Sequence, residues 1–168
     1  WYLIAPATGA HTVAVTLDGT ATDACGGVVS YSGAKQSGQP DAQNGATGTS
    51  TAPSVAVTTV ADNCWVFSTI HVTHLLSACG NTQRWNVNTG GSFYANGGSD
   101  TNGPKTPAGA QTMSWTNSAA SAWGIVAISI APWVPYVASS VVSVGVKVSS
   151  SRAITFPRSA TVKAGVKI

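Results

Sequence analysis

Glutamate is absent from this sequence, and charged residues of every kind are scarce. The five acidic residues are all aspartate, and Asp, Lys and Arg together make up 8% of the chain, against about 25% in ordinary soluble domains. Exposed helix faces usually carry Glu, Lys and Arg, whereas Thr, Ser, Val, Gly and Asn suit strands and turns. The composition therefore predicts an all-β protein whose surface is solvated by hydroxyl and amide groups, as in secreted and particle-surface proteins.

The sequence also lacks long apolar runs and pairs of catalytic carboxylates. No segment approaches the roughly 20 consecutive apolar residues that cross a membrane as a helix. A glycoside hydrolase needs two carboxylates that face each other across the substrate. Four aspartates lie instead in turn sequences, where the side chain bonds the neighbouring backbone: Asp18, Asp23, Asp41 and Asp62. The sequence therefore predicts neither a membrane span nor an enzyme.

The three cysteines, Cys25, Cys64 and Cys79, show none of the C-x-x-C spacing of metal or redox sites. They allow one disulfide and leave one thiol over. Counting the candidate strands alternately up and down places Cys25 and Cys64 at the same end of the fold, so these two form the expected bridge. Three unpaired cysteines are the alternative, because buried free thiols are common.

No metal-ligand set is predicted. His71 and His74 are three residues apart, and such positions on a strand project to opposite faces, so the pair cannot chelate one ion. Calcium is the alternative to having no cofactor, because Asp18, Asp23 and the segment 98–102 place oxygen-bearing side chains in predicted loops. Turn formation explains the same residues without an ion.

Apolar residues alternate with polar ones in short segments separated by turns, which is the pattern of a two-sheet sandwich. The candidate strands are Trp1–Ala5, His11–Leu17, Gly27–Ser32, Ser54–Val60, Cys64–Thr73, Asn81–Val87, Gln111–Thr116 and Ala122–Ile130. Residues 33–53 and 88–108 are predicted to be long loops, and residues 54–73 a hairpin. The expected core contains Val13, Val15, Val57, Trp65, Phe67, Trp115, Ile125 and Ile128. The predicted fold is an antiparallel two-sheet β-sandwich of jelly-roll type with almost no helix.

Several motifs within residues 1–132 resemble a group of jelly-roll or concanavalin-like β-sandwich domains found in large secreted bacterial proteins and tailed-phage particles. The motifs are WYL-x-AP-x-TGAHTVAVT at the start, VSYSGAKQ near Tyr31, DNCWVF at 62–67, TQRWN at 82–86, MSWT at 113–116 and WGIVA at 123–127. The resemblance implies a binding or structural module. Domains of this group carry further strands before the WYL segment, so we expect an incomplete sheet here and additional polypeptide upstream.

The chain changes character after residue 136. Residues 1–136 hold three basic and five acidic residues, whereas residues 137–168 hold five basic and no acidic ones. In this tail, SVVSVGVKV at 140–148 returns as ATVKAGVKI at 160–168, and each copy alternates as a strand does. The apolar positions expected to mediate assembly are Val142, Val144, Val146, Val148, Val162, Val166 and Ile168. The sequence thus predicts a β-sandwich domain over 1–136 and an assembly tail over 137–168.

Two functions fit these features. The first is a non-enzymatic structural subunit of an extracellular filament or virion appendage, whose copies exchange strands because two strands alone cannot bury their apolar faces. The second is a carbohydrate-binding or adhesion module in which Trp85 and Tyr94 stack on sugars. The expected partners are other copies of the chain and surface glycans. Nucleic acid is not expected, because the basic residues are spaced singly among β-branched ones.

Overall fold

The structure is a computed structural model that describes residues 2–20, 24–89 and 94–134. These ranges contain eight strands and no helix, so within them no helix is available to cross a membrane. The strands are β1 (Ala42–Ser50), β2 (Ser54–Thr58), β3 (Trp65–Val72), β4 (Leu76–Cys79), β5 (Thr82–Thr89), β6 (Tyr94–Asp100), β7 (Ala110–Asn117) and β8 (Ser121–Ile130). They form one five-stranded and one three-stranded antiparallel sheet, which confirms the predicted all-β sandwich. The predicted assembly tail lies outside the described residues.

The strand order follows the nested pairing of a jelly roll. β1 pairs with β8, β2 with β7 and β3 with β6, all antiparallel. The resulting orders are β1-β8-β3-β6-β5 in one sheet and β2-β7-β4 in the other. In an eight-stranded jelly roll the last nested pair, β4 with β5, completes the second sheet. Here β5 pairs with β6 instead, so the smaller sheet is one strand short of that arrangement.

The core lies between the two sheets and is built from every second residue of the strands. The larger buried apolar side chains are Val55, Val57, Val66, Ile70, Val72, Leu76, Met113, Trp115 and Ile125. Burying each aliphatic side chain of this set stabilises the fold by about 1.5–3 kcal/mol relative to leaving it exposed. The predicted core positions Val57, Trp115 and Ile125 are therefore confirmed.

Strand β3 is apolar on both faces, and the face that points inward is not the predicted one. Val66 and Ile70 enter the core, whereas Trp65 and Phe67 lie half-buried on the outer face of the sheet. Phe67 pairs across the sheet with Ile128, which is also half-buried. The prediction that Trp65, Phe67 and Ile128 are core residues is therefore wrong. When consecutive residues are all apolar, the sequence does not specify which face of the strand points inward. The registers with the partner strands then determine that face.

The chain before β1 forms no strand in its described part, which corrects three predictions. Residues 2–5, 11–17 and 27–32 belong to neither sheet. Val13 and Val15, predicted as core residues, are 63% and 78% exposed. The alternation of the sequence is present, but a strand forms only where a neighbour pairs its N–H and C=O groups. No described strand pairs with these segments.

Both predicted long loops contain a strand: β1 lies in the first and β6 in the second. Glycine and asparagine are frequent in both, and they are poor strand formers. Glycine nevertheless suits β6, because Gly97 contacts Trp115 and Gly98 contacts Trp85, so closely that a Cβ atom would overlap either ring. The predicted hairpin is also wrong, since β2 and β3 belong to different sheets, and β4 has no counterpart among the predicted strands.

Candidate ligand-binding face

The outer face of the five-stranded sheet carries a group of aromatic side chains. The register places Phe67 of β3 opposite Asp100 of β6, so alternate residues from these two positions share this face. Its ring-bearing residues are Trp65, Phe67, His71, Trp85 and Tyr94. The Phe67 and Trp85 ring centroids are 5.7 Å apart. Aromatic rings beside polar groups provide the mixed surface that small polar ligands with apolar faces require.

The segment that precedes β1 lies over one end of this face without joining the sheet. It is fixed near the end of β8, where the Lys35 amide donates to the Ala131 carbonyl at 3.0 Å. The Tyr31 ring lies 5.4 Å from the Trp65 ring, with their planes tilted by 51°. Gly27 lies against the indole of Trp85. The face is therefore formed by the sheet and by this covering segment together.

Asp100 is the charged centre of this end of the face, and its side chain is only 2% exposed. Arg84 Nε donates to Asp100 Oδ2 at 2.6 Å, and Arg84 Nη2 donates to Oδ1 at 2.7 Å. The Tyr31 hydroxyl donates to Oδ2 at 3.0 Å, and the Asn102 amide donates to Oδ1 at 2.9 Å. The two-point ion pair fixes the orientation of the guanidinium. The same carboxylate ties the covering segment to the sheet through Tyr31.

Arg84 reaches Asp100 because β5 is irregular at this point. The register between β5 and β6 shifts between Gln83 and Trp85, so Arg84 has no direct partner in the ladder. Such bulges change the direction in which a side chain points. The Arg84 side chain is 34% exposed, and within the described chain its Nη1 group makes no hydrogen bond. One edge of the guanidinium is therefore held by protein and the other is free.

The charged groups of this cluster stabilise one another. Burial disfavours the ionised form of Asp100, but hydrogen bonds from Arg84, Asn102 and Tyr31 outweigh it and hold the pKa of Asp100 below its usual value. The hydrogen bond to Asp100 raises the pKa of Arg84. Burial, followed by the Asp100 charge, raises the pKa of Tyr31, so its phenol stays protonated and donates. At neutral pH the cluster holds one positive and one negative charge.

A cavity of about 350 Å³ lies beside this cluster. Its lining consists of Val29, Ser30, Tyr31, Ser32, Trp65, Arg84 and Asp100. The volume falls at the lower end of the range of about 300–1,000 Å³ that is typical of small-molecule pockets. Two aromatic rings, two hydroxyl groups and one fixed guanidinium thus converge on a space that suits a small ligand.

The two residues predicted to bind glycans share this face but not this cavity. Trp85 is half-buried, and its Nε1–H donates to Asn96 Oδ1 at 2.8 Å. Tyr94 is 46% exposed and stacks on His71 with ring centroids 5.9 Å apart. Trp85 is therefore engaged largely in contacts within the chain, whereas Tyr94 keeps much of its ring accessible.

A second polar cluster surrounds Asp41, immediately before β1. Asp41 Oδ2 accepts hydrogen bonds from the Val60 amide at 2.7 Å, the Ser129 hydroxyl at 2.9 Å and the Cys64 thiol at 3.5 Å. Burial opposes ionisation of this carboxyl, but these bonds prevail and hold the pKa of Asp41 below its usual value. Burial and then the neighbouring Asp41 raise the pKa of the Cys64 thiol. The cluster joins the start of β1 to the β2–β3 connection and to β8.

The predicted disulfide between Cys25 and Cys64 does not form in this structure. Cys25, Cys64 and Cys79 are all free thiols, and Cys64 is buried while the other two are half-buried. The strand count behind the prediction fails because the segments before β1 are not strands. The cysteines therefore give no support for an oxidising compartment.

The residues considered for calcium are arranged differently from the expectation. Asp100 ends strand β6 instead of lying in a loop, and both of its oxygens accept hydrogen bonds from Arg84. Asp23 lies outside the described residues. In the parts of the chain that the structure describes, no group of three or more His, Cys, Asp or Glu side chains is placed to hold a metal ion.

Within the described residues, surfaces suited to strand pairing also lack a partner. Val13, Val15 and Leu17 occupy alternate positions and are 63%, 78% and 51% exposed. β1 and β2 each lie at the edge of a sheet, and neither contains a charged residue or a proline. Proteins usually block exposed edges with charges, prolines or bulges. Charges and prolines, two of these three devices, are therefore absent from both edge strands.

Sequence reasoning did not single out Arg84 or Tyr31 as site residues, and it considered Asp100 only within the calcium segment 98–102. The one signal available for them is the scarcity of charge, because Arg84 is one of three basic residues among the first 136. Comparison with known proteins supplies no relative: no protein-family model, no curated protein and no solved structure matches the chain.

Proposed function

We propose that this chain is a non-enzymatic structural subunit that assembles with copies of itself by exchanging strands. The observation that carries the proposal is the exposed row Val13, Val15 and Leu17, which has the period of a strand and no partner in the described chain. Each of these side chains forgoes about 1.5–3 kcal/mol by staying in water. Pairing with a sheet edge of another copy buries the row and satisfies its backbone groups at the same time.

The acceptor in this proposal is an open sheet edge of a second copy. β1 and β2 pair regularly with β8 and β7 along their whole length, and within the described chain no strand pairs with the outer edge of either, although the Asn44 side chain already donates to the Ala56 carbonyl on the β2 edge. β2 is one edge of the three-stranded sheet, and the position that β5 would fill in the jelly-roll arrangement lies at the other edge, beside β4. A donor segment of one copy that pairs with an edge of the next makes a heterologous contact, which propagates into an open filament.

The tail sequence offers further donor strands. Residues 140–148 and 160–168 repeat an alternating apolar pattern, and the tail carries five basic residues against the acidic excess of residues 1–136. Opposite charge assists docking, although at physiological salt its reach is limited to about 8 Å. An extracellular filament or a virion appendage is the setting in which we place such a subunit.

The proposal is tested by charge substitution within the exposed row. The double variant Val13→Asp with Val15→Asp should remain folded but lose assembly, because a carboxylate in a buried strand face is strongly unfavourable. The matched control is Thr12→Asp with Thr16→Asp, which adds the same charges on the opposite side of the segment. Light scattering after gel filtration, with electron microscopy, measures the size of the particles. Equal assembly of both double variants would count against the proposal.

Deletion of residues 139–168 tests the contribution of the tail. The shortened chain should fold, because it keeps all eight strands of the described residues. It should be a monomer that aggregates more readily and no longer forms the native assembly. Normal assembly of the shortened chain would remove the tail from the mechanism.

A further inference from the structure

We propose that the cavity between Tyr31, Trp65 and Arg84 binds one neutral sugar ring. This inference does not depend on strand exchange, because every residue that lines the cavity belongs to the described part of a single chain. It differs from the sequence-based expectation of a site at Trp85 and Tyr94, neither of which lines the cavity.

The charge balance of the cavity favours a neutral ligand. Arg84 and Asp100 are the two charged residues of the lining, and they neutralise each other in a two-point ion pair. An anionic ligand would gain little net attraction in the cavity, because the Asp100 carboxylate already neutralises the guanidinium. A neutral ligand needs no net charge there, and the free edge of Arg84 still donates hydrogen bonds to it.

The polar groups of the cavity match a polyhydroxylated ligand. The Arg84 Nη1 group is free, and its position is fixed because Asp100 holds the opposite edge of the guanidinium. Ser30 and Ser32 are exposed, and their hydroxyls make no hydrogen bond within the described chain. A hydroxyl both donates and accepts, so it pairs with a sugar hydroxyl in either sense. Donors and acceptors are therefore available without rearrangement of the protein.

The apolar wall of the cavity matches the other surface of a sugar. Trp65 is half-buried on the outer face of β3, and the tilted Tyr31 ring next to it completes the wall. An aromatic ring provides rigid apolar area at little cost in conformational entropy. The C–H groups on one face of a pyranose can lie against this wall while its hydroxyls meet Arg84 and the serines. The volume of about 350 Å³ is enough for one sugar ring or for the end of a glycan.

The experiment titrates the full chain with the methyl β-glycosides of glucose, galactose and N-acetylglucosamine and with methyl β-glucuronide. Binding is followed through the tryptophan indole signals in nitrogen-15 correlation spectra. At least one neutral glycoside should shift the Trp65 signal, with a dissociation constant in the millimolar range expected for so few contacts. The Trp123 signal is an internal control and should not move. Trp123 of β8 pairs with Val72, at the end of β3 opposite to Trp65, and its Nε1–H donates to the Ser50 hydroxyl.

Three variants assign the site. Ser30→Ala with Ser32→Ala removes two exposed hydroxyls and should weaken binding about fivefold to tenfold without affecting folding. Arg84→Lys keeps the charge but loses the planar fork, and should weaken binding about tenfold. Ser54→Ala is the matched control, because Ser54 is an exposed serine of the other sheet. Thermal unfolding shows whether each variant is folded.

Several results would overturn the inference. One is the absence of any shift at Trp65 with all three neutral glycosides. Another is binding of the glucuronide alone, which would indicate an anion site. A third is binding that survives in the double serine variant but is lost in Tyr94→Ala, which would place the sugar on the Tyr94–His71 stack.

Discussion

The β-sandwich from β1 to β8 and the segment that precedes it share a sequence pattern, but only the sandwich forms strands and buries its apolar residues. Both contain alternating runs of Val, Ala and Thr. In the sandwich, Val55 and Val57 are 4% and 2% exposed because β2 pairs with β7 over the core. In the preceding segment, Val13 and Val15 remain 63% and 78% exposed. An alternating pattern therefore specifies the capacity to form a strand, while a partner elsewhere in the chain decides whether the strand forms.

The two regions meet at the polar cluster around Asp100 and at the end of β8. Tyr31 of the preceding segment donates to Asp100, which also binds Arg84 of the sandwich. The segment is thus held by the Tyr31 hydrogen bond, an aromatic contact with Trp65, and backbone and Gln39 side-chain hydrogen bonds near the end of β8. It contributes no strand to either sheet. We therefore expect the stability of the molecule to reside in the sandwich, and the following predictions test that difference.

The largest effect is expected from Trp115→Ala. Trp115 is 2% exposed in the core, and removal of a buried aromatic side chain costs about 3–5 kcal/mol of unfolding free energy. Trp65→Ala should cost less, because this residue is half-buried on the outer face. Leu3→Ala is the control in the preceding segment, where the side chain is 78% exposed. Urea unfolding measures all three. A loss at Leu3 comparable to that at Trp115 would contradict the division between the regions.

An intermediate loss of stability is expected from Gly97→Ala. A Cβ at this position would overlap Trp115 and Leu76, and overpacking of a core costs about 1–3 kcal/mol. The matched control is Gly26→Ala, because nothing lies near its Cβ position. Thermal unfolding should show a clear loss for Gly97→Ala and almost none for Gly26→Ala. Equal stability of the two variants would indicate that the Trp115 packing differs from the structure.

These glycines also show why the sequence predicts some strands and not others. The all-β class, most of β2, β3, β5, β7 and β8, and three core residues follow from composition and alternation. β6 could not be predicted in this way, because Gly97 and Gly98 lie where tryptophans of other strands leave no room for a Cβ atom. No local sequence pattern predicts the Arg84–Asp100–Tyr31 cluster either, since its members are up to 69 residues apart in the chain. Only the tertiary register and one bulge bring them together.

A smaller effect on the free energy of unfolding is expected from a change of pH, and it tests the connection between the two regions. The pKa values of Asp100 and Asp41 are lowered in the folded state, so the unfolded chain binds more protons as the solution is acidified. The stability that these carboxylates contribute is present above about pH 4 and is lost as the pH falls through their folded pKa values. Unfolding free energies measured across this range should show less dependence on pH in Asp100→Asn. An unchanged slope would mean that Asp100 is not held by Arg84 and Tyr31 in solution.

Hydrogen exchange of the backbone amides, followed at several protein concentrations, tests the central claim most directly. At dilution, where the chain is monomeric, the amides of β3 and β8 should be strongly protected and those of residues 11–17 should exchange as in an unstructured peptide. When the protein assembles, residues 11–17 should become protected while β3 and β8 change little. Protection of residues 11–17 in the monomer, or its absence in the assembled state, would contradict the account.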